Sequence, residues 1–376
     1  MPARLPARAP ADPRSGGHAG KPHAPPGRFA RLPRPGRRHV SRVRRSVSLR
    51  LANSLRVESV AEEYVEARDA SELCSALDRA RRDAVPVTLL GGGTNVVPLR
   101  RIEGRVVRVA SRGISFRRGR EGARVVAAAG ESWHGLVRAC LGRGLVGPEN
   151  LALIPGTVGA APIQNIGAYG RELSRWVSGV SVVDTVSLER KVLNAAECGF
   201  RYRDSAFKSE ERGRYVVTAV TLDLRDEPAE AGYPGLAAEL DRLGRAPSSV
   251  SVAEAVIRLR RRKLPDPRRV GNAGSFFKNP TLTAEAFDRL RGMVDIPGFS
   301  DGERVRIPAA RLIDDRGWKG YRAGDAGVWS RHALVLVNHG GAGGREILDL
   351  AYRIRDDVAQ RFDVELELEP AVLGRD

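Results

Sequence analysis

Residues 153–170 read Leu-Ile-Pro-Gly-Thr-Val-Gly-Ala-Ala-Pro-Ile-Gln-Asn-Ile-Gly-Ala-Tyr-Gly. The segment contains four glycines, two prolines and the adjacent amides Gln164 and Asn165. Glycine reaches backbone conformations that other residues avoid, and proline holds its own φ near one value, so this composition favours a shaped loop over a helix or a strand. We interpret the segment as a loop that closes over a planar ligand.

A second glycine-rich segment, Gly91-Gly92-Gly93-Thr94-Asn95, directly follows the apolar run Val85–Leu90. Backbone N–H groups can converge on a phosphate where no side chain intervenes, and Thr and Asn add donors. Either loop alone is compatible with a simple set of turns. Two such loops, each next to a buried strand, favour a ligand site. Neither matches G-x-G-x-x-G or G-x-x-x-x-G-K-[ST], so neither a Rossmann site nor a P-loop is supported.

Around these loops the chain alternates between helical and strand periodicity, which predicts a mixed α and β fold. The predicted helices follow Ser71 (with Leu73, Leu77 and Ala80 apolar), span Trp133–Leu141, run from a capping box at Ser251–Glu254 to near Pro265, and cover Ile347–Val358. The predicted strands are Val85–Leu90, Val125–Ala129, His332–Asn338 and Val364–Leu368. The sequence contains no internal repeat.

The net charge of +18 belongs mostly to the amino-terminal segment. Residues 1–50 contain thirteen Lys and Arg, one acidic residue and nine of the 23 prolines. Such a segment has too few apolar residues to offset its chain entropy, so we expect residues 1–50 to form a disordered tail. It lacks the apolar stretch of a secretory signal. A transit peptide and a natural start at Val40, Val43 or Val47 both stay open.

The remaining composition is that of a globular protein. No run of 18 apolar residues occurs, so the sequence predicts no membrane span. The cysteines Cys74, Cys140 and Cys198 are far apart, odd in number and without metal spacing. We therefore expect reduced thiols, no metal and a cytoplasmic location.

Six motifs along the chain resemble, in content and order, the UDP-N-acetylenolpyruvoylglucosamine reductase family. They are Leu-Gly-Gly-Gly-Thr-Asn-Val-Val (90–97), the 154–170 loop, Tyr-Arg-Asp-Ser-Ala-Phe-Lys (202–208), Lys-Leu-Pro-Asp-Pro (263–267), Gly-Asn-Ala-Gly-Ser-Phe-Phe-Lys-Asn-Pro (271–280), and Leu-Ile-Asp followed by Gly-Trp-Lys-Gly (312–320). The resemblance extends from Asn53 to Glu369. Chance can supply one of these motifs but not all six in order.

The resemblance implies an α+β protein with a two-subdomain FAD-binding fold of the vanillyl-alcohol oxidase (PCMH) type and a C-terminal α+β substrate domain. It implies an FAD-binding domain at residues 51–226 and a lid loop with its connecting helix at 227–262. A substrate-binding domain at 263–362 and a C-terminal strand at 363–376, returning to the active site, complete the expected organisation.

The resemblance also implies an enzyme of peptidoglycan precursor synthesis. Its reaction reduces the enolpyruvyl group of UDP-N-acetylglucosamine enolpyruvate to UDP-N-acetylmuramate, with non-covalent FAD as cofactor and NADPH as reductant. Hydride reaches the terminal vinyl carbon, negative charge develops on the carboxylate side, and a proton is added at the adjacent carbon. The protein must orient the reactants, stabilise that charge and supply the proton. We expect a monomer with no nucleic-acid or membrane partner.

The resemblance assigns catalytic roles to Arg203, Ser275 and Glu369, with Glu367 as the alternative register for the glutamate. A guanidinium can bind a carboxylate through two bonds. A serine hydroxyl is a weak acid, so Ser275 needs a strongly basic enolate and help from Lys278 or a water. Without the resemblance, Ser275 is typical of a turn, and the glutamates of residues 364–369 fall on the solvent face of a strand.

The remaining assignments concern binding. The implied cofactor-binding residues are Gly91, Gly92, Gly93, Thr94, Asn95, Pro155, Gly156, Thr157, Val158 and Gly159. The implied substrate-binding residues are Tyr202, Tyr233, Lys263, Asn279 and Lys319. The resemblance also implies that Phe299 stands where some members have a second lid tyrosine.

Two other functions stay open on the sequence. Many flavin oxidases of the same fold attach FAD covalently through His or Cys, and His134 is the only histidine near the two loops. The other is a basic nucleic-acid-binding protein, in which residues 1–50 bind phosphates in a salt-dependent manner.

Overall fold

The computed structural model describes residues 42–376. The α-helices of this part are α1 (Ala70–Arg82), α2 (Trp133–Leu141), α3 (Pro234–Leu243), α4 (Ser249–Lys263), α5 (Ala284–Arg291), α6 (Ala309–Asp315) and α7 (Gly344–Phe362). The strands of its first part are β1 (Arg44–Ser48), β2 (Val60–Ala67), β3 (Val87–Leu90), β4 (Val96–Pro98), β5 (Arg101–Val109), β6 (Ile114–Arg118), β7 (Gly122–Ala128), β8 (Gly167–Ala168), β9 (Arg171–Glu172), β10 (Val177–Asp184), β11 (Arg190–Leu193) and β12 (Tyr215–Arg225). The later strands are β13 (Gly271–Ser275), β14 (Thr281–Leu282), β15 (Phe299–Asp301), β16 (Arg304–Arg306), β17 (Arg322–Ala323), β18 (Ala326–Val328), β19 (Val335–Asn338) and β20 (Ala371–Leu373).

The first sheet has the strand order β1-β2-β5-β3, in which β2, β5 and β3 are parallel. Helix α1 covers one face, with Leu73 and Leu77 buried against Val65 and Val107. The helix begins one residue before Ser71, because the Asp69 carboxylate accepts hydrogen bonds from the N–H groups of the first turn. Strand β3 ends where the first glycine loop begins, as the apolar run predicts.

Strand β1 shows that the predicted tail boundary at residue 50 is wrong. Arg44–Ser48 pair antiparallel with β2, and Leu49 is buried. A basic strand is stable here because its backbone completes the sheet edge while Arg44 and Arg45 lie near Glu66 and Glu63 of β2. The rest of the predicted tail, residues 1–41, lies outside the described residues.

The second sheet is antiparallel throughout, in the order β11-β10-β12-β7-β6. Its apolar face packs on α2, which occupies the predicted span, and on the α3–α4 pair. These two helices are joined by Glu239, a buried carboxylate that accepts two hydrogen bonds from Arg262.

The N-cap of helix α4 lies three residues before the start of the predicted capping box. Ser248 is its N-cap, and Ser251 completes the box by accepting from the Ser248 N–H. The prediction of a box at Ser251–Glu254 is wrong because Glu254 instead pairs with Arg245 and Arg258. The helix ends at Lys263, ahead of Pro265, as proline requires.

A third sheet, β13-β19-β18-β17, packs on α6 and α7, and a small β14-β16-β15 sheet lies beside α5. Helix α7 contains the predicted span Ile347–Val358, whereas β19 begins only at Val335. Val364–Leu368 is not a ladder-forming strand. Its side chains alternate between buried and exposed as predicted, but only Leu368 forms a bridge, with Phe277. The alternation sets which side chains are buried, but the backbone pairs only at the end of the segment, where the Glu367 carbonyl accepts from the Lys278 N–H at 2.9 Å and the Glu369 N–H donates to the Phe276 carbonyl at 3.0 Å.

After this segment the chain returns to the first sheet region. Strand β20 pairs in parallel with β4, immediately after the Gly91–Asn95 loop. The C-terminal segment therefore brings Glu369 beside a glycine loop distant in sequence. Among the helices of residues 42–376, none has the length and apolar character needed to cross a membrane.

Candidate active site

A single cavity of about 950 Å³ contains both glycine loops and the three candidate catalytic residues. Gly91–Asn95 and Pro155–Gly156 line one part of it, and Arg203, Ser275 and Glu369 line another. Folding therefore brings together side chains that lie far apart in sequence. Thr157 and Gly159 also line the cavity, whereas Val158 is buried in the core beneath the loop.

The two glycine loops touch each other through their backbones. A Cβ atom on Gly92 would lie 2.9 Å from the Gly156 Cα, and one on Gly91 would lie 2.8 Å from the Thr157 Oγ1. Gly93 and Gly156 also have positive φ values of 61° and 113°, which favour glycine. The glycines are thus required for close packing of the loops and leave backbone N–H groups unobstructed.

Arg203 is held by the 153–170 loop. Its guanidinium donates to the carbonyl of Gly167 at 2.7 Å and to that of Asn165 at 3.5 Å. Its backbone has a φ of 54°, in the left-handed region. The Tyr202 ring contacts both Arg203 and Arg306, whose guanidinium carbons are 5.3 Å and 3.5 Å from the ring centre. Tyr202 therefore stacks with arginines and does not line the cavity.

Ser275 and Glu369 come together through neighbouring backbone. Ser275 ends β13, and the Glu369 N–H donates to the carbonyl of Phe276 at 3.0 Å. On the other side, the Asn95 amide donates to the Glu369 carbonyl at 3.4 Å. Glu369 therefore connects the Ser275 strand to the first glycine loop.

The two possible glutamates have different surroundings. The Glu367 carboxylate is exposed and pairs with Lys278. Glu369 is partly buried, and burial raises the pKa of its carboxyl, opposed by the positive charges of Arg203, Lys208 and Lys278. Only Glu369 combines burial with a position between Ser275 and a glycine loop.

Two further cavity residues were missed by sequence reasoning. The Arg260 Nε on α4 has less than 1 Å² exposed and no hydrogen-bond partner within residues 42–376. The Lys208 Nζ donates to the Arg203 carbonyl at 3.3 Å. Arg260 stands in a basic helix end, where spacing does not single it out. Lys208 ends the 202–208 motif, and that position was the only available signal.

The expected substrate residues lie outside the lining of this cavity. Lys263 and Lys319 both face His332, and burial together with these charges lowers the pKa of that imidazole. The Lys319 Nζ also contacts Asp314 at 2.5 Å. The Asn279 side-chain oxygen accepts from the Ala309 N–H at 3.1 Å, at the start of α6.

The lid residues are exposed. Tyr233 precedes α3, is 46% exposed and meets Tyr169 edge to face, with ring centres 5.5 Å apart. Phe299, in β15, is 59% exposed. Neither lines the cavity of the described structure, so their substrate roles remain predictions.

His134 serves the second loop structurally. Its Nδ1 accepts a hydrogen bond from the Leu153 N–H at 3.0 Å, and Leu153 has a positive φ of 60°. The histidine thus stabilises the strained entry to the 153–170 loop from outside the cavity. Within residues 42–376, no group of His, Cys, Asp and Glu side chains is arranged to hold a metal ion.

Comparison with known proteins identifies the family of the chain. A model described as an FAD binding domain matches residues 61–187, and one described as the UDP-N-acetylenolpyruvoylglucosamine reductase C-terminal domain matches residues 266–373. A relative in Pseudomonas syringae pv. tomato, named UDP-N-acetylenolpyruvoylglucosamine reductase, is 44% identical over 335 residues, covering 87% of this chain and 98% of the relative. The chain belongs to the UDP-N-acetylenolpyruvoylglucosamine reductase family.

A further relative and a solved structure of the UDP-N-acetylenolpyruvoylglucosamine reductase family also match the chain. A Burkholderia mallei relative of the same name is 49% identical over 292 residues, covering 76% of this chain and 84% of the relative. The solved UDP-N-acetylenolpyruvylglucosamine reductase of Thermus caldophilus matches with a TM-score of 0.63 at 27% identity, over 89% of this chain and 99% of that one. The predicted family and the α+β fold class with an FAD-binding domain are confirmed.

The FAD that this family fold implies fits the residues present. Gly91 and Gly92 have no side chain, so the two loops meet closely and present bare backbone to the cavity, as a flavin pyrophosphate requires. Arg260 lines the same cavity, and its Nε has no hydrogen-bond partner within residues 42–376, so this cation suits an anionic or carbonyl-rich ligand. The chain is thus an FAD-dependent oxidoreductase of this family.

Proposed function

We propose that the protein uses NADPH and FAD to reduce UDP-N-acetylglucosamine enolpyruvate to UDP-N-acetylmuramate, a step of peptidoglycan precursor synthesis. The observation that carries the proposal is the single cavity in which Arg203, Ser275 and Glu369 face two interlocked glycine loops. Membership of the reductase family supports it. In this proposal the enzyme is cytoplasmic and monomeric, with NADPH and the enolpyruvyl substrate as its partners.

The glycine loops Gly91–Asn95 and Pro155–Gly159 would hold FAD, with their backbone N–H groups directed at its pyrophosphate. Arg260 adds a positive charge for an electron-rich part of the same ligand. Bound FAD supplies hydride transfer between NADPH and the substrate. Because β1 completes the first sheet, the proposed FAD-binding domain includes β1 and continues to residue 226.

Arg203 would orient the substrate and stabilise its developing charge. Two carbonyls, of Asn165 and Gly167, fix the guanidinium, and its other N–H groups remain available for the substrate carboxylate. Because these bonds exist before the substrate binds, the charge is stabilised without a large rearrangement.

Ser275 would donate the proton to the carbon next to the carboxylate. A serine hydroxyl does this only when the enolate is strongly basic and the resulting alkoxide is stabilised, and Lys208 and Lys278 supply positive charge in this cavity. Glu369, whose pKa is raised by burial, would donate a hydrogen bond from its protonated carboxyl to the enolate oxygen.

The lid loop and connecting helix (227–262), the substrate domain (263–362) and the returning segment (363–376) would enclose the nucleotide part of the substrate. Lys263 and Lys319 carry the charge for its diphosphate. Tyr202, Tyr233 and Asn279 would supply polar and stacking contacts when the lid closes.

The test uses the purified full-length chain. We expect a flavin absorption band, release of that flavin on denaturation, and NADPH oxidation that depends on the enolpyruvyl substrate. NADPH oxidation indifferent to the substrate would contradict the proposal. Flavin that stays attached to denatured protein would favour a covalent flavin oxidase.

The nucleic-acid alternative needs a separate comparison. Deleting residues 1–41, which leaves β1 intact, should preserve reductase activity. Loss of reductase activity, together with loss of salt-dependent nucleic-acid binding, would favour the alternative.

A further inference from the structure

The motif at residues 202–208 presents a strained residue. Arg203 has a φ of 54°, and left-handed backbone is unfavourable for a residue with a Cβ atom. Such a conformation persists only where surrounding bonds impose it. The 153–170 loop holds the guanidinium, so the bonds that hold the backbone of Arg203 must be sought in and around its own turn.

Two backbone hydrogen bonds between Arg201 and Asp204, at 3.0 and 3.2 Å, close the turn that contains Arg203, and side chains anchor this turn. The Asp204 carboxylate accepts from Arg201 and from the Ser209 hydroxyl. The Ser205 hydroxyl donates to the Ile163 carbonyl at 2.6 Å, which attaches the turn to the 153–170 loop. None of these bonds reaches the backbone of Arg203 itself.

Lys208 makes that missing contact. Its Nζ donates to the Arg203 carbonyl at 3.3 Å, and its side chain lines the same cavity as Ser275 and Glu369. The Nζ has no ion-pair partner within residues 42–376. A lysine that is partly buried and bonded only to a neutral carbonyl is costly, which argues for a role at the site.

We infer that Lys208 is a positioning residue, which holds the left-handed backbone of Arg203 and thereby directs its guanidinium into the cavity. The expected kinetic effects rest on the proposed function. The expected change in the geometry of Arg203 does not. Lys208 also contributes positive charge beside the Glu369 carboxyl.

The electrostatic consequence has a definite sign. The charged groups that face Glu369 are Arg203, Lys208, Lys278 and Glu367, and the three cations lower the pKa of its carboxyl against the effect of burial. Those that face Lys208 are Lys278, Glu369, Glu367 and Asp204. Removing the Lys208 charge removes one opposing cation, so the pKa of Glu369 rises further. If the protonation of Glu369 controls the rate of flavin reoxidation, the pH at which that rate falls then moves upward.

The test compares Lys208→Met, Lys208→Arg and the control Lys191→Met, whose lysine lies on β11 near Asp184 and Glu189. In Lys208→Met we expect flavin reoxidation by the enolpyruvyl substrate to slow about 100-fold, as for a misplaced catalytic group. Flavin reduction by NADPH should stay within about two-fold. Lys208→Arg should recover most of the loss, and the control should show none.

Crystal structures of the wild type and Lys208→Met provide a readout that does not depend on activity. We expect Arg203 to leave the left-handed region, or its guanidinium to lose the Gly167 bond, only in the variant. Unchanged Arg203 geometry in Lys208→Met would overturn the inference, as would an unchanged pH profile. If Lys208→Met does not fold, Lys208→Gln serves the same comparison. A wild type that the substrate cannot reoxidise would refute the proposed function and leave this structural test valid.

Discussion

The backbone N–H of Glu369 donates a hydrogen bond to the carbonyl of Phe276, the residue that follows Ser275, at 3.0 Å. A glutamate near the C-terminus is thereby held beside a serine at the end of β13. The same glutamate is joined through its carbonyl to Asn95 of the first glycine loop. One short segment thus connects the proposed proton donor to the proposed flavin cradle.

Replacing Ser275 by alanine separates proton donation from hydride supply. In Ser275→Ala we expect near-normal flavin reduction by NADPH, because the hydroxyl has no part in that step. Reoxidation by the enolpyruvyl substrate should slow by about 100- to 10,000-fold, the usual contribution of a general acid. Rapid-mixing absorbance of the flavin measures both steps. An equal drop in both would mean that Ser275 is structural.

The glutamate register is tested by comparing Glu369→Gln with Glu367→Gln. We expect Glu369→Gln to slow reoxidation about 100-fold and Glu367→Gln to have a small effect, because Glu367 is exposed and paired with Lys278. The opposite ranking would transfer the role to Glu367.

The pH dependence follows from the raised pKa of Glu369. Burial keeps this carboxyl protonated to a higher pH than an exposed glutamate. If the protonated form is active, reoxidation is fastest at low pH and falls as pH rises through the raised pKa. In Glu369→Gln, whose side chain cannot titrate, this fall of the reoxidation rate with pH should disappear. If the rate still falls with pH in the variant, the titrating group is a residue other than Glu369.

Replacing Arg260 should have opposite effects on the stability of the apoprotein and on the retention of bound flavin. Arg260→Met removes a buried guanidinium whose Nε has no partner, so the apoprotein should gain about 1–3 kcal/mol of unfolding free energy. The flavin-loaded protein should lose FAD on dilution more readily than the wild type. Denaturant titration and flavin fluorescence measure the two effects. Arg258→Met, an exposed neighbour on α4 that pairs with Glu254, is the control and should show neither.

Gly92→Ala tests the contact between the loops. The new Cβ would lie 2.9 Å from the Gly156 Cα, so the loops must separate and the bound flavin fraction should fall. Gly119→Ala, whose Cβ would meet only an ordinary contact at 3.7 Å, should retain flavin. The measurement is the flavin content per protein after gel filtration. Equal content in the two variants would contradict the proposal that the two glycine loops hold the flavin.

Several features of the fold and site follow from sequence alone. Helices α2 and α7 carry an apolar face at helical spacing, and the glycine loops need backbone freedom that only their residue types provide. These properties are local, so residue type and spacing suffice to predict them. The ordered motifs, including Arg203 and Ser275, likewise identify the family without coordinates.

Other features depend on neighbours in space. The basic strand β1 exists because β2 offers it an edge. Val364–Leu368 forms no ladder because its backbone bonds to the 276–278 segment only near Leu368. The start of α4 depended on which serine reached the open N–H groups of its first turn.

The sequence by itself determined the family, the two glycine loops and the main helices, because each depends on residues close together in the chain. The tertiary structure alone decided that the Lys208 Nζ donates to the Arg203 carbonyl and that, among residues 42–376, the Arg260 Nε has no hydrogen-bond partner. It also placed Glu369 between Ser275 and Asn95. Hydrogen-bond satisfaction and burial depend on groups from distant segments, and only folding brings those groups together.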